Sequence, residues 1–357
     1  MVDFLSNQEI IAAARKNLEQ GPWDYLVGAS ESETTMRRNR LGFDKIAFRP
    51  RVCVDVSSID TSSTFLGHKL RIPVMLAPIG SLQEFTSGAG ADATRAASEF
   101  GTMHVVSSVT EPSLEDISKA GEFPKTFQLY VHGDWEWCKD ILTRVKEAGY
   151  AALCVTVDTA HLSRRERPML GRYLPPTQRG RPDRKYRASV TWDLCERIRD
   201  FTGLPFMLKG IATAEDASIA VQKGIDVVWV SNHGGRQLDH GRGAIEVLPE
   251  IYAVTRGKAK IILDGGVQRG SDVLKALALG ADAVAIGKLQ GWGLAAGGSP
   301  GLVRVLEILE DEIDVAMGLL GITALDQLTP AFVSPADPVM LPHEMSLFSN
   351  IVEGQIR

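Results

Sequence analysis

No two of the four cysteines, Cys53, Cys138, Cys154 and Cys195, form a CxxC pair. That spacing points to reduced thiols in a cytosolic protein rather than to a disulfide framework. No apolar run approaches the roughly 18 residues needed to span a bilayer. The Met1-Val-Asp-Phe-Leu start carries no basic stretch followed by an apolar one, so no signal peptide is expected. The seven histidines are scattered, and none forms an i, i+4 pair around a carboxylate, so no metal site is expected. A net charge of -5 argues against bulk nucleic-acid binding, and a hydrophobic fraction of 44% argues against disorder. No GxGxxG follows the first strand-like segment, which counts against a dinucleotide-binding fold.

What is present is a rhythm. Residues 5–30 read as helical, with Asn7 as N-cap, and residues 31–70 read as a connecting arm. From residue 72, apolar strand candidates recur at Val74–Ala77, His104–Ser107, Thr126–Val131, Ala152–Val157, Phe206–Lys209, Val227–Val230, Ile261–Leu263 and Ala283–Ile286. Helix-period segments lie between most of them, at Ala89–Phe100, Trp135–Ala148, Thr213–Gln222 and Ser271–Leu279, and Leu302–Leu319 follows the last. Eight βα units predict an α/β protein built as a closed (β/α)8 TIM barrel with an N-terminal helical extension. The expected boundaries are 1–70 for the extension and arm, 71–328 for the barrel and 329–357 for the tail.

In a barrel of this kind the strand C-terminal ends carry the chemistry. Those ends hold Pro78-Ile-Gly80, Ser107-Ser108, Gln128 with Tyr130, Thr156 with Asp158, Lys209, His233 with Arg236, Asp264-Gly-Gly266 and Gly287-Lys288. The sixth end, Val230-Ser-Asn-His-Gly-Gly-Arg-Gln-Leu-Asp239, sets an imidazole and a fixed cation three residues apart in a glycine turn. The glycine turns after strands seven and eight occupy the usual phosphate position, with Arg269 or Lys288 as countercharge. Lys209 has two functional readings: a Schiff-base amine, or a cation that stabilises a developing anion such as a reduced flavin edge. The neutral groups of Ser107, Gln128 and Thr156 favour a large flat ring with heteroatoms.

These residues resemble the FMN-dependent 2-hydroxy-acid oxidase/dehydrogenase family, the glycolate oxidase, lactate oxidase and mandelate dehydrogenase group. The likeness runs from about Trp23 to Leu328 and includes Trp23-Asp-Tyr25, Gln128-Leu-Tyr130, Thr156-Val-Asp158, Arg164-Arg-Glu166, Leu208-Lys-Gly210, Ser231–Asp239 and Leu263-Asp-Gly-Gly266. The resemblance implies FMN as cofactor and oxidation of a 2-hydroxy acid to the 2-oxo acid, with hydride passing to flavin N5. It implies His233 as base, Asp158 as its carboxylate partner, and Arg165 and Arg236 at the substrate carboxylate. It implies Tyr25 and Tyr130 at the substrate oxygens, with Tyr130 and Lys209 also in the catalytic set. For the cofactor it implies Ala77, Pro78, Ile79, Gly80, Ser107, Gln128, Thr156 and Lys209 at the ring. Asp264, Gly265, Gly266, Gln268, Gly287 and Lys288 follow at the phosphate end. A homo-oligomer, by resemblance a tetramer, is expected.

Two stretches depart from the family's pattern. Gln268 and Lys288 stand where the family usually has arginine, so one phosphate charge is lost and one fork becomes a point charge. The strand-four loop, 161–187, is short and very basic, and reads either as a solvated charge run or as a lid that attracts acidic or bulky substrates. His161 and Val109 depart from common residues near the expected pocket, so the substrate is not borrowed from the glycolate or lactate enzymes. The same apparatus could oxidise a C–N bond, and a Schiff-base lyase using Lys209 is the alternative of another class. The Pro342–Ile351 segment reads as amphipathic and suited to docking on a neighbouring subunit.

Overall fold

The computed structural model describes residues 3–176 and 184–338. Eight parallel strands close into one barrel in sequential order. They are β1 (Val74–Leu76), β2 (His104–Ser107), β3 (Lys125–Leu129) and β4 (Ala152–Thr156), then β5 (Phe206–Ile211), β6 (Val227–Val230), β7 (Lys260–Asp264) and β8 (Ala283–Ile286). Both faces of each strand are covered, so the strands read as continuous apolar runs rather than as alternating ones. Alternate residues divide between two cores. Met75, Val105, Cys154, Met207, Trp229, Ile262 and Ala285 fill the interior of the barrel. Leu76, Val106, Val155, Leu208, Val228, Leu263 and Ile286 face the surrounding helices. Phe65 and Leu70, from a hairpin of Ser63–Phe65 and His68–Leu70, join the inner core and plug one end. The fold is the (β/α)8 barrel that the spacing predicts.

Several expectations need correction. The N-terminal helical segment is two helices, α1 (Asn7–Asn17) and α2 (Gln20–Val27), parted where Leu18 and Glu19 turn extended. Ser6, not Asn7, is the N-cap of α1. The carboxylate of Glu9 reaches back to the Leu5 amide at 2.8 Å and does the capping work. Asn7 is buried and donates to the Gln268 carbonyl at 3.4 Å. The arm contains a further helix, α3 (Thr34–Asp44), which packs on the His233 turn. The last helix begins at Lys288 rather than near residue 302. It runs to Leu320 across a kink at Gly297–Gly298. Its glycine-rich first part has low helix propensity and reads as loop, but Leu289, Trp292 and Leu294 are buried, and that packing holds it helical. The Pro342–Ile351 segment lies outside the described residues.

Candidate active site

Strand ends, α2, α3 and the strand-four loop together wall a cavity of about 650 Å³. It brings together most of the residues singled out by sequence: Tyr25, Ala77 to Gly80, Tyr130, Arg165, Lys209, His233, Arg236, Asp264, Gly265, Gly266, Gln268, Gly287 and Lys288. Asp158 stands behind His233 rather than in the wall. Ser107, Gln128 and Thr156 are buried at the rim of the barrel. Ser107 pairs in register with Gln128, and Thr156 with Lys209. His161 is exposed and stands just outside the wall, next to Leu162, which lines it, as Val109 does.

His233 is set by a tight turn. Its φ is +59°, a left-handed conformation that is uncommon outside glycine. Asn232 Oδ1 accepts from the Gly235 amide at 3.0 Å and closes the turn. Asn232 and Asn39 of α3 exchange side-chain hydrogen bonds at 2.9 and 2.7 Å, tying the turn to the N-terminal extension. A Cβ on Gly235 would lie 2.4 Å from the Met36 amide, so only glycine lets α3 approach this closely.

From that turn the His233 Nδ1 meets Asp158 Oδ1 at 3.0 Å. Burial pulls the imidazole below 6.5, the Asp158 carboxylate pushes it back up, and Lys209 and Arg165 add to the lowering. The net effect is a neutral ring near pH 7. Burial acts to raise the Asp158 carboxyl, but His233 and Lys209 outweigh it and hold the group below the usual carboxylate range.

Lys209 is fixed just as firmly. Its Nζ lies 2.9 Å from Ser231 Oγ and 3.0 Å from Asp264 Oδ2. Ser231 also donates to Asp264 Oδ1 at 2.6 Å and accepts from the His233 amide at 3.0 Å. Burial alone would lower the Lys209 ammonium, but Asp264 and Asp158 outweigh it and raise it. A permanently protonated amine is no nucleophile, which removes the observation on which a Schiff-base reading would stand.

Arg236 directs Nη1 to the carbonyls of Tyr25 at 2.7 Å and Gly28 at 2.8 Å, and its guanidinium lies over the Tyr25 ring. Burial and the neighbouring Arg165 bring it down to about 10, still a cation at neutral pH. Arg165 Nε donates to the Arg236 carbonyl at 3.2 Å. Gln237 donates to the carbonyls of Asp158 at 2.8 Å and His161 at 2.9 Å, bracing the strand-four loop. Tyr130 is pushed by burial up to about 12, so its phenol keeps its proton.

The residues fit FMN on this structure's own evidence. Both polar atoms of the Gln128 amide, and Thr156 Oγ1, are buried without a partner among the described residues. Buried polar atoms left unpaired are costly, so their persistence at two neighbouring strand ends marks a place built for a ligand with heteroatoms. At the phosphate end the geometry is uneven. The amides of Gln268 and Arg269 are spent on Asp272 Oδ2 at 3.0 and 3.1 Å, and that of Gly270 on Glu312 at 2.7 Å. Arg269 itself pairs with Glu312 at 2.9 Å, which leaves Lys288 of the two candidate countercharges. What remains open is the turn at Gly287, where a Cβ would meet nothing within 4 Å, and the first turn of the helix after it. Lys288 Nζ rests on the Val27 carbonyl at 2.6 Å and on Met36 Sδ. Burial first, then Arg236, pulls it down to about 7, so an anion here would gain by recharging it.

Sequence reasoning missed Met36, Asn39 and Arg40 of α3, all in the wall. It also left open the fate of the basic loop end. Arg187 is not solvated charge: it lines the cavity over the Tyr130 ring, 4.6 Å from its centroid.

Comparison with known proteins agrees with this geometry. Residues 14–335 match the model of the family described as FMN-dependent dehydrogenase. An L-lactate oxidase from Nostoc sp. is 38% identical over 348 residues, 90% of this chain and 95% of that protein. Glycolate oxidase 5 from Oryza sativa subsp. japonica is 39% identical over 352 residues, 92% of this chain and 95% of that protein. A crystal structure of mandelate oxidase with (S)-4-hydroxymandelic acid superposes with a TM-score of 0.88 at 33% identity, covering 94% of this chain and 100% of the other. The chain belongs to the FMN-dependent dehydrogenase family and is an FMN enzyme of its 2-hydroxy-acid oxidase group.

Proposed function

We propose that the protein oxidises 2-hydroxy acids to 2-oxo acids, with His233 as the base that takes the substrate's proton. The single observation that carries this reading is the His233–Asp158 contact at 3.0 Å, beside two cavity guanidiniums. Bound FMN supplies the two-electron acceptor. Gln128, Thr156, Ser107, Lys209 and the Ala77–Gly80 backbone would hold its ring. Asp264, Gly265, Gly266, Gln268, Gly287 and Lys288 would hold its phosphate end.

The rest follows from the side chains. Arg165 and Arg236 receive the substrate carboxylate, which a planar fork suits. Tyr25 and Tyr130 donate to substrate oxygens and orient C2. The Nδ1–H of His233 points to Asp158, so Nε2 is the free acceptor and receives the proton. Asp158 then faces an imidazolium and stabilises it, as a carboxylate held ionised is able to do. Lys209 stays charged on Asp264 and Ser231 and places a fixed cation where negative charge develops.

The expected tetramer and cytosolic location belong to this proposal as well. One of the relatives is a peroxisomal (S)-2-hydroxyacid oxidase from Arabidopsis thaliana, so the family includes a peroxisomal member. Among the described residues no helix is long and apolar enough to cross a membrane. Light scattering of the purified protein tests the tetramer, which a monomer would contradict.

The main test is optical. The purified yellow protein is mixed without oxygen with a panel of 2-hydroxy acids and the matching 2-amino acids. Bleaching by a hydroxy acid, and not by its amino counterpart, is the expected result. Bleaching by amino acids alone would overturn the substrate class.

A further inference from the structure

The cavity holds more positive charge than one substrate carboxylate uses. Arg165, Arg187 and Arg236 line it, together with Arg40 and Arg167, which are paired with Asp272 and Glu33, and Arg15, which lies over the Trp23 ring. Its acidic neighbours are already occupied, Asp158 by His233 and Asp264 by Lys209. Arg165 and Arg236 suffice for one carboxylate. Arg187 is left over.

Arg187 is nevertheless held in place. It belongs to the short helix Arg184–Ala188 at the end of the strand-four loop. Its Nε and Nη2 both lie on His132 Nε2, at 2.9 and 2.5 Å. That ring stacks parallel to Tyr130, with centroids 6.3 Å apart and 6° between planes. Burial, and then Arg187 itself, brings His132 down to about 4, so it serves as a neutral acceptor. Among the described residues Arg187 has no carboxylate partner; its contacts are an imidazole and a phenol ring. A half-buried guanidinium with only neutral partners, beside a second guanidinium, is poorly compensated. A carboxylate opposite it would gain a charge-assisted, two-pronged contact.

We propose that the preferred substrate is a 2-hydroxy dicarboxylic acid, whose second carboxylate is received by Arg187. This rests on the 2-hydroxy-acid reading above and deepens it. The second carboxylate takes no part in bond making; it fixes the far end of the molecule while C2 is oxidised.

The test compares acids that differ only at that far end. 2-Hydroxyglutarate is set against 2-hydroxypentanoate, and malate against 2-hydroxybutanoate, in the wild type, Arg187→Ala and Arg187→Lys. The readout is the ratio of kcat/KM within each pair, so loss of active enzyme in a variant cancels. A charge-assisted contact predicts a ratio of ~10 or more for at least one pair in the wild type, falling ~10- to 100-fold in Arg187→Ala and less in Arg187→Lys. Ratios at or below one in both pairs, or an unchanged ratio in Arg187→Ala, overturn the proposal. Monocarboxylic acids that bleach the flavin in that case leave the 2-hydroxy-acid reading standing. If no hydroxy acid bleaches it, both fail.

Discussion

At the scale of single residues, Asp158 sets how strong a base His233 is. Burial lowers the imidazole and the carboxylate raises it, with the net value below 6.5. The base must be neutral to act, so kcat/KM should rise with pH through that lowered value and be flat above neutrality. In Asp158→Asn the raising influence is gone. The acid limb should then move to still lower pH, while the plateau falls ~10- to 100-fold because a weaker, less well oriented base remains. A limb that moves to higher pH would contradict the pairing. His233, Arg236 and Lys209 were legible in the sequence because each sits where an apolar run stops, next to glycine. Arg187 was not. A basic run patterns alike whether it is solvated or folded inward, and only the position of Tyr130 and His132 decides between the two.

At the scale of elements, the strands were legible because two covered faces leave continuous apolar runs bounded by polar ends. Their predicted limits are those observed for β2, β6 and β8 and differ by at most two residues at either end for the others. Helix α3 was not legible. Its sequence, Thr-Thr-Met-Arg-Arg-Asn-Arg-Leu-Gly-Phe-Asp, has little apolar periodicity. Its buried residues include Thr35, Asn39 and Arg40, which are held by hydrogen bonds to other parts of the chain rather than by apolar packing. Its contact with the His233 turn rests on Gly235, whose φ is +76°. Gly235→Ala adds a Cβ 2.4 Å from the Met36 amide. Strain and clash should cost ~1–3 kcal/mol in urea unfolding and displace the His233 turn, lowering flavin reduction along with stability. Wild-type stability in that variant would mean that α3 yields freely.

At the scale of the whole molecule, the N-terminal extension walls the cavity and is not an appendage. Arg40 of α3 forks onto Asp272 with Nη1 at 2.6 Å and Nη2 at 2.9 Å, and both side chains are buried. Asp272 also accepts the amides of the loop after β7. Asp272→Ala removes the fork and leaves Arg40 with Asp44 Oδ1 at 3.2 Å and the Gly266 carbonyl at 2.9 Å, and should cost about 3 kcal/mol in denaturant unfolding. A loss near zero would show the extension to be only loosely attached. The barrel itself follows from eight repeats of one βα unit, a regularity that sequence spacing carries. How an irregular extension folds over that barrel depends on polar pairs distant in sequence, which spacing does not carry.

The central claim is that this cavity oxidises a hydroxy acid with His233 as base, and the rate of anaerobic flavin bleaching in His233→Ala tests it most directly. The variant should purify with FMN bound, because the cofactor contacts lie elsewhere, and its bleaching by the best 2-hydroxy acid should be slower by ~10²- to 10⁴-fold. Bleaching at the wild-type rate would contradict the account.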